Sequence, residues 1–232
     1  MYVGQKFINN INMRIFYVCS FGGCASTMLC KLLARKYTVF HIHSRYPPKM
    51  LTTIRRTKLS REPEWFNYKK VIRNKKIVDN ITVIYLYRKP SSSLLSHDGW
   101  GMYHFNNIGL NINDVRLRKY FSKSEDTRLK YSLEKNDILG LRNFFENYVF
   151  CRTNMNYDIV CLKYETLWDN LEEIFEKLDI SKDLLDHIPK KYSKERSAKQ
   201  LKTIENLKVK YKDLEDIMDK LPPIFINHRH RR

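Results

Sequence analysis

The chain counts 232 residues, with 43 Lys and Arg against 25 Asp and Glu and a formal net charge of +18. Its 43% hydrophobic and 13% aromatic content excludes a disordered basic tail, and at this length folding buries roughly 70% of the unfolded surface, so a core forms without metal or disulfide staples. A folded, strongly cationic protein follows, whose charge predicts polyanionic partners: nucleic acid, phosphorylated or sulfated small molecules, or an anionic membrane face.

Residues 14–20, RIFYVCS, read as a buried strand running into Gly22-Gly23. A helix is predicted from about Ser26 to Arg35, with Met28, Leu29, Leu32 and Leu33 on one face. Thr38–His43 reads as a second strand, stopped by Pro47-Pro48, and Ile81–Tyr87, ITVIYLY, as the clearest strand of all. The pattern loses clarity over 97–136. Asp158–Lys163 is a fourth strand, with a helix expected from about Leu167 to Leu178. Leu201, Ile204, Leu207, Tyr211, Leu214, Met218 and Leu221 mark one long amphipathic helix, stopped by Pro222-Pro223. This strand–helix–strand rhythm predicts an α/β fold of three α/β/α layers around a central, mostly parallel sheet. Residues 1–13 are expected as an extension, 14–224 as one domain and 225–232 as a basic tail.

The five cysteines, Cys19, Cys24, Cys30, Cys151 and Cys161, are odd in number and lack zinc or CxxC spacing, which favours a reducing compartment. No apolar run approaches the roughly 18–20 residues of a membrane span, and Ile15–Cys19 is too short for a secretory segment. A soluble, cytoplasmic protein is expected. Charge is uneven: Arg45 to Lys76 holds eleven basic and two acidic residues, whereas Glu165 to Asp186 holds eight acids and two lysines. Such runs read either as solvated faces or, for the basic stretch directly after a strand, as a cover over an active-site mouth.

Ser20-Phe21-Gly22-Gly23-Cys24-Ala25-Ser26-Thr27 joins the first strand to the first helix. Small residues let the backbone curl until successive N–H groups aim at one anion, and the helix N-terminus adds partial positive charge. Ser26 and Thr27 offer hydroxyls in the first turn. The alternative is a tight turn with Ser26 as N-cap. The loop is not GxxxxGK[ST], because Ser26 stands where the Lys is required, and no strand ends in an Asp suited to magnesium. That counts against an ATPase, a GTPase or an ordinary kinase.

Arg88 follows the strongest strand in VIYLYRKPSSSLLSH, and Ser96 comes two helical turns later. Both can reach one anion over the sheet edge, the Arg with a planar fork suited to phosphate. Together the loop and this segment resemble the PAPS-dependent sulfotransferases. That family has a 5′-phosphosulfate loop after its first strand, and a 3′-phosphate site made of a strand-end Arg and a Ser eight residues on. VCLKYETLWDNLEEIFEKLDI is similar to its late strand, Tyr-Glu-x-Leu turn and following helix, and YKDLEDIMDKLPP to a common C-terminal ending. The resemblance spans about residues 14–224, loosely in the middle.

It implies a P-loop-like α/β fold and transfer of a sulfuryl group from PAPS to a hydroxyl or amine, with PAP as product and no metal. By resemblance Gly22, Gly23, Cys24, Ala25, Ser26 and Thr27 hold the 5′ end of an adenosine 3′,5′-bisphosphate-type nucleotide. Arg88 and Ser96 take its 3′-phosphate, and Tyr164 sits near the adenine. The chain departs from the family where many members carry a loop Lys, here Gly23, and where cytosolic members carry a stacking Trp, here Met28. The lost charge would have to come from the helix N-terminus, Arg45 or Lys49.

An acceptor hydroxyl loses its proton as it attacks sulfur, so a base is wanted. The Golgi-type branch of the family has a carboxylate after its second strand; here the sequence is HIHSRYPP. His41 and His43 point to one face of that strand, and His43 is nearer its carboxyl end. An imidazole with an ordinary pKa of about 6.5 suits the role; the alternative is that either His is simply a hydrogen-bonded residue beneath the loop. His97 and His104 are further candidates, with Asp98 as an orienting neighbour. The basic Arg45–Lys76 stretch suggests an anionic or carbohydrate acceptor. Two other readings remain: a nucleotide- or polyanion-binding protein of the same fold with impaired catalysis, and a P-loop-like small-molecule kinase. Nucleic-acid binding rests on charge alone, without a helix-turn-helix, RNA-recognition or zinc signature.

Overall fold

The computed structural model describes residues 14–47, 80–96, 115, 124–150, 157–191 and 195–227. Among these, a five-stranded sheet has the order β2-β1-β3-β4-β5, built from β1 (Ile15–Ser20), β2 (Thr38–Ile42), β3 (Ile81–Tyr87), β4 (Asp158–Lys163) and β5 (Ile224–Asn227). The first four strands pair in parallel and β5 closes the edge antiparallel to β4. Every residue of β1 is buried, as expected of a central strand with both faces covered, which is why it reads as an unbroken apolar run.

Alternation sends Tyr17, Cys19, Tyr85, Tyr87 and Cys161 to one face and Phe16, Val18, Ile84, Leu86 and Val160 to the other. The first face packs on α3 (Glu125–Ser132), α4 (Leu141–Val149), α6 (Ala198–Lys210) and α7 (Lys212–Lys220); the second packs on α1 (Ser26–Leu33) and α5 (Leu171–Lys177). Helices on both faces of the sheet are compatible with the expected three layers. Tyr85 stacks on Tyr148 with ring centroids 4.4 Å apart and planes 13° apart, so α4 docks through aromatic faces rather than aliphatic ridges.

The structure differs from the sequence reading in several places. The expected helix from Leu167 begins as two 3₁₀ turns, Tyr164–Thr166 and Trp168–Asn170, and only Leu171–Lys177 is α-helical. The long C-terminal helix is two. It starts earlier, at a capping box in which Ser197 and Gln200 satisfy each other's backbone N–H, and breaks at Tyr211 (φ −108°). The Tyr211 hydroxyl, at the break, donates to Asp137 Oδ1 at 2.6 Å and lies 2.5 Å from that of Tyr131. Leu201, assigned to the buried stripe, is half exposed. β5 carries the sheet into Phe225–Asn227, where the sequence reading starts its basic tail.

Position 140 favours glycine. Its φ is +65°, and a Cβ there would lie 2.9 Å from Arg45 Nη2. Arg45 therefore packs flat against the start of α4 and donates to the Leu139 carbonyl at 3.3 Å.

Candidate anion site at the carboxyl edge of the sheet

The chain leaves β1 to build β2 on one side and returns to build β3 on the other. This reversal falls at β1 and β3, and in open α/β sheets the crevice beyond the carboxyl ends of such strands is where ligands bind. The loop after β1 and Arg88 after β3 flank that crevice.

Within the loop, Gly22 (φ 128°), Gly23 (φ 67°) and Ala25 (φ 61°) all have left-handed backbone. For Ala25, whose Cβ opposes this conformation, the strain is roughly 1–2 kcal/mol. Ala25, not Ser26, is the N-cap residue, and no side chain caps α1. The Cys24 thiol is buried and donates to the Leu86 carbonyl at 3.4 Å; burial raises its pKa, which makes it a packed hydrophobe and not a thiolate.

Ser26 and Thr27 diverge. Thr27 is exposed, whereas Ser26 is 4% exposed and its hydroxyl turns inward. The Ser20 hydroxyl donates to Ser26 Oγ at 2.8 Å, and His41 Nε2 lies 3.0 Å from the same oxygen. His43 Nδ1 is 2.8 Å from the Ser20 carbonyl; a carbonyl only accepts, so Nδ1 carries the proton and the lone pair is on Nε2. The two imidazoles are edge to face, 4.5 Å apart. Desolvation holds His43 below its ordinary pKa. His41 and His43 thus share one face, as their alternation requires, with His41 tied to Ser26 and His43 to the β1 backbone.

Arg88 links both halves of the crevice. One nitrogen, Nη1, donates to the Gly23 carbonyl at 2.8 Å and to Ser96 Oγ at 2.9 Å. Ser96 ends α2 (Pro90–Ser96), so two helical turns bring the eight-residue spacing to a direct contact. Arg196, just ahead of the α6 cap, donates to the same Ser96 oxygen at 3.3 Å. Two guanidinium groups thus converge on one hydroxyl. Burial disfavours the Arg88 charge, and its Nε is enclosed without a hydrogen-bond partner. The Arg88 carbon lies 4.1 Å from the Tyr164 ring centroid, so that face of Tyr164 holds the arginine, with Trp168 edge-on at 5.4 Å.

Carboxylates from distant segments fix this arrangement. Glu165 Oε1 accepts from the Lys89 N–H at 3.1 Å and Glu215 Oε1 from the Ser91 N–H at 2.8 Å, satisfying amides at the start of α2 that no local acid caps. Sequence reasoning missed Arg196, Glu165 and Glu215 in these roles. For Arg196 a signal was present, because Ser197-x-x-Gln200 marks a helix start and places the preceding Arg at its mouth. Arg45, considered as a replacement for the missing loop Lys, has its guanidinium at Leu139. Lys49, His97, Asp98 and His104 lie outside the described residues, as does most of the basic stretch to Lys76. Among the described residues no three His, Cys, Asp or Glu side chains gather as metal ligands, and no helix is long and apolar enough to cross a membrane.

No protein-family model, curated protein or solved structure matches the chain.

Proposed function

We propose that this crevice binds an adenosine 3′,5′-bisphosphate nucleotide and that the chain is a sulfotransferase, moving a sulfuryl group from PAPS to a hydroxyl or amine acceptor without a metal. The observation that carries the reading is Arg88: one guanidinium joins the loop, through Gly23, to Ser96, eight residues on. In this reading the loop amides of 22–27 take the 5′ end, and Arg88, Ser96 and Arg196 take the 3′-phosphate. Tyr164 borders the adenine, and His43 Nε2 accepts the acceptor's proton. Transfer breaks the bond between sulfur and the bridging oxygen, forms the bond from sulfur to the acceptor oxygen, and leaves PAP. The P-loop-like sulfotransferase architecture is part of the same proposal.

A second reading keeps the nucleotide site without turnover. It is favoured by Gly23, which brings no cation, together with the commitment of Arg45 to Leu139.

Calorimetric titration with adenosine 3′,5′-bisphosphate, ADP and ATP, each with and without magnesium, tests the proposal. Metal-independent binding that needs the 3′-phosphate and is lost in Arg88→Ala supports it, and sulfuryl transfer from PAPS to an acceptor then separates the two readings. Preference for ATP with magnesium points to a kinase and overturns it.

A further inference from the structure

A hydroxyl has one proton to give and two lone pairs with which to accept. Ser26 Oγ already accepts from Ser20 at 2.8 Å and has His41 Nε2 3.0 Å away. While Nε2 is bare, Ser26 gives its only proton to His41 and has none for an anion at the loop. Once Nε2 carries a proton the direction reverses: His41 donates, both Ser26 lone pairs are filled, and the Ser26 proton must turn to another acceptor. An imidazolium also places a full charge one residue from the start of α1, where the backbone already favours anions.

We propose that His41 and Ser26 together form the titratable cation and switched donor of a loop that has Gly23 in place of a lysine, so that the loop holds a doubly charged oxyanion, a phosphate or sulfate group, most tightly when His41 is protonated. This rests on the anion-site reading above. His41 is a positioning residue in it, acting through Ser26.

The neighbours favour His41 over His43 as the proton's seat. The rings are 4.5 Å apart, too close for both to charge readily. His43 Nδ1 already donates to the Ser20 carbonyl, and desolvation opposes a second proton there. Among the described residues, the titratable groups along this chain of hydrogen bonds include the Cys24 thiol, which bonds Ser20 and is held protonated by burial, and beyond it Arg88, which is already charged.

The test is isothermal titration of the full chain with inorganic sulfate, which does not itself titrate in this range, and with adenosine 3′,5′-bisphosphate, between about pH 5.5 and pH 8, either side of an ordinary imidazole pKa. Sulfate affinity is expected to fall about ten-fold over that span, as loss of one nearby charge implies. His41→Gln and Ser26→Ala should flatten the profile. In the unaltered protein, titration in buffers of different ionisation heat should show about half a proton taken up per sulfate near the imidazole pKa, the most that a ten-fold affinity change, one pKa unit, can link. A profile unchanged in both variants, or no proton uptake, overturns the inference and leaves the nucleotide site standing. Failure of both anions to bind at any pH overturns the site reading, and this inference with it.

Discussion

The Glu215 carboxylate and the Ser91 backbone N–H, 124 residues apart in the chain, meet at 2.8 Å. This bond fastens α7 to the start of α2, the helix that ends at Ser96, so the last third of the chain helps to position Ser96.

Glu215 is 7% exposed, and burial raises its pKa although the Ser91 bond works the other way. A carboxyl whose folded pKa lies above its unfolded value, about 4.3, adds stability at pH below that value and loses it as pH rises through the folded one. Glu215→Gln keeps the acceptor oxygen and removes the charge. Thermal unfolding should find it at least as stable as the parent at neutral pH, with the advantage shrinking toward pH 4. Glu215→Ala leaves the Ser91 amide unmet and should cost about 1–3 kcal/mol. A Gln variant as damaged as the Ala one would show that the charge itself is needed.

Arg196 and Arg88 both address the Ser96 oxygen. Arg196→Ala should weaken adenosine 3′,5′-bisphosphate by about 1.5–3 kcal/mol, the worth of a charged hydrogen bond, and barely affect adenosine 5′-phosphate. A double-mutant cycle with Ser96→Ala should give a coupling energy above about 0.5 kcal/mol. Additive losses would mean that the two side chains serve different groups.

Turnover in His43→Ala should vanish while nucleotide affinity persists. A base works unprotonated, and burial lowers the His43 pKa, so the rate of the parent should stay level below pH 6.5 and fall only at more acid pH. A pH–rate profile with its acid limb above 6.5 would assign the base to another group.

Gly140→Ala combines a left-handed φ with a Cβ 2.9 Å from Arg45 Nη2. Urea unfolding should show a loss of about 1–2 kcal/mol from the backbone conformation alone, and more where the guanidinium cannot move. Arg45→Ala in the same chain should recover the steric part only. A neutral Gly140→Ala would mean that the turn ahead of α4 relaxes freely.

β1, β3 and β4 were legible because parallel strands buried on both faces are rich in consecutive apolar residues, and IFYVCS, ITVIYLY and DIVCLK each hold such a stretch. The loop was legible for a related reason: small residues at a strand end mark left-handed backbone, and Gly22 and Gly23 adopt it. α3 was not legible, because its apolar face is weak and its packing falls to Tyr131. The break at Tyr211 leaves no mark in the periodicity, and the polar contact made there, with Asp137, lies far off in sequence.

The amino-acid sequence alone determined the α/β rhythm, the small-residue turn after β1 and the Arg88–Ser96 spacing, all set by local backbone preference and hydrophobic period. Tertiary structure decided that Ala25 is the N-cap residue of α1, that the Ser26 hydroxyl meets Ser20 and His41, and that Arg196 crosses 100 residues of chain to reach Ser96. Those are single contacts between distant segments. A guanidinium or hydroxyl finds its partner only after the apolar faces have packed, and a contact made once has no period to read.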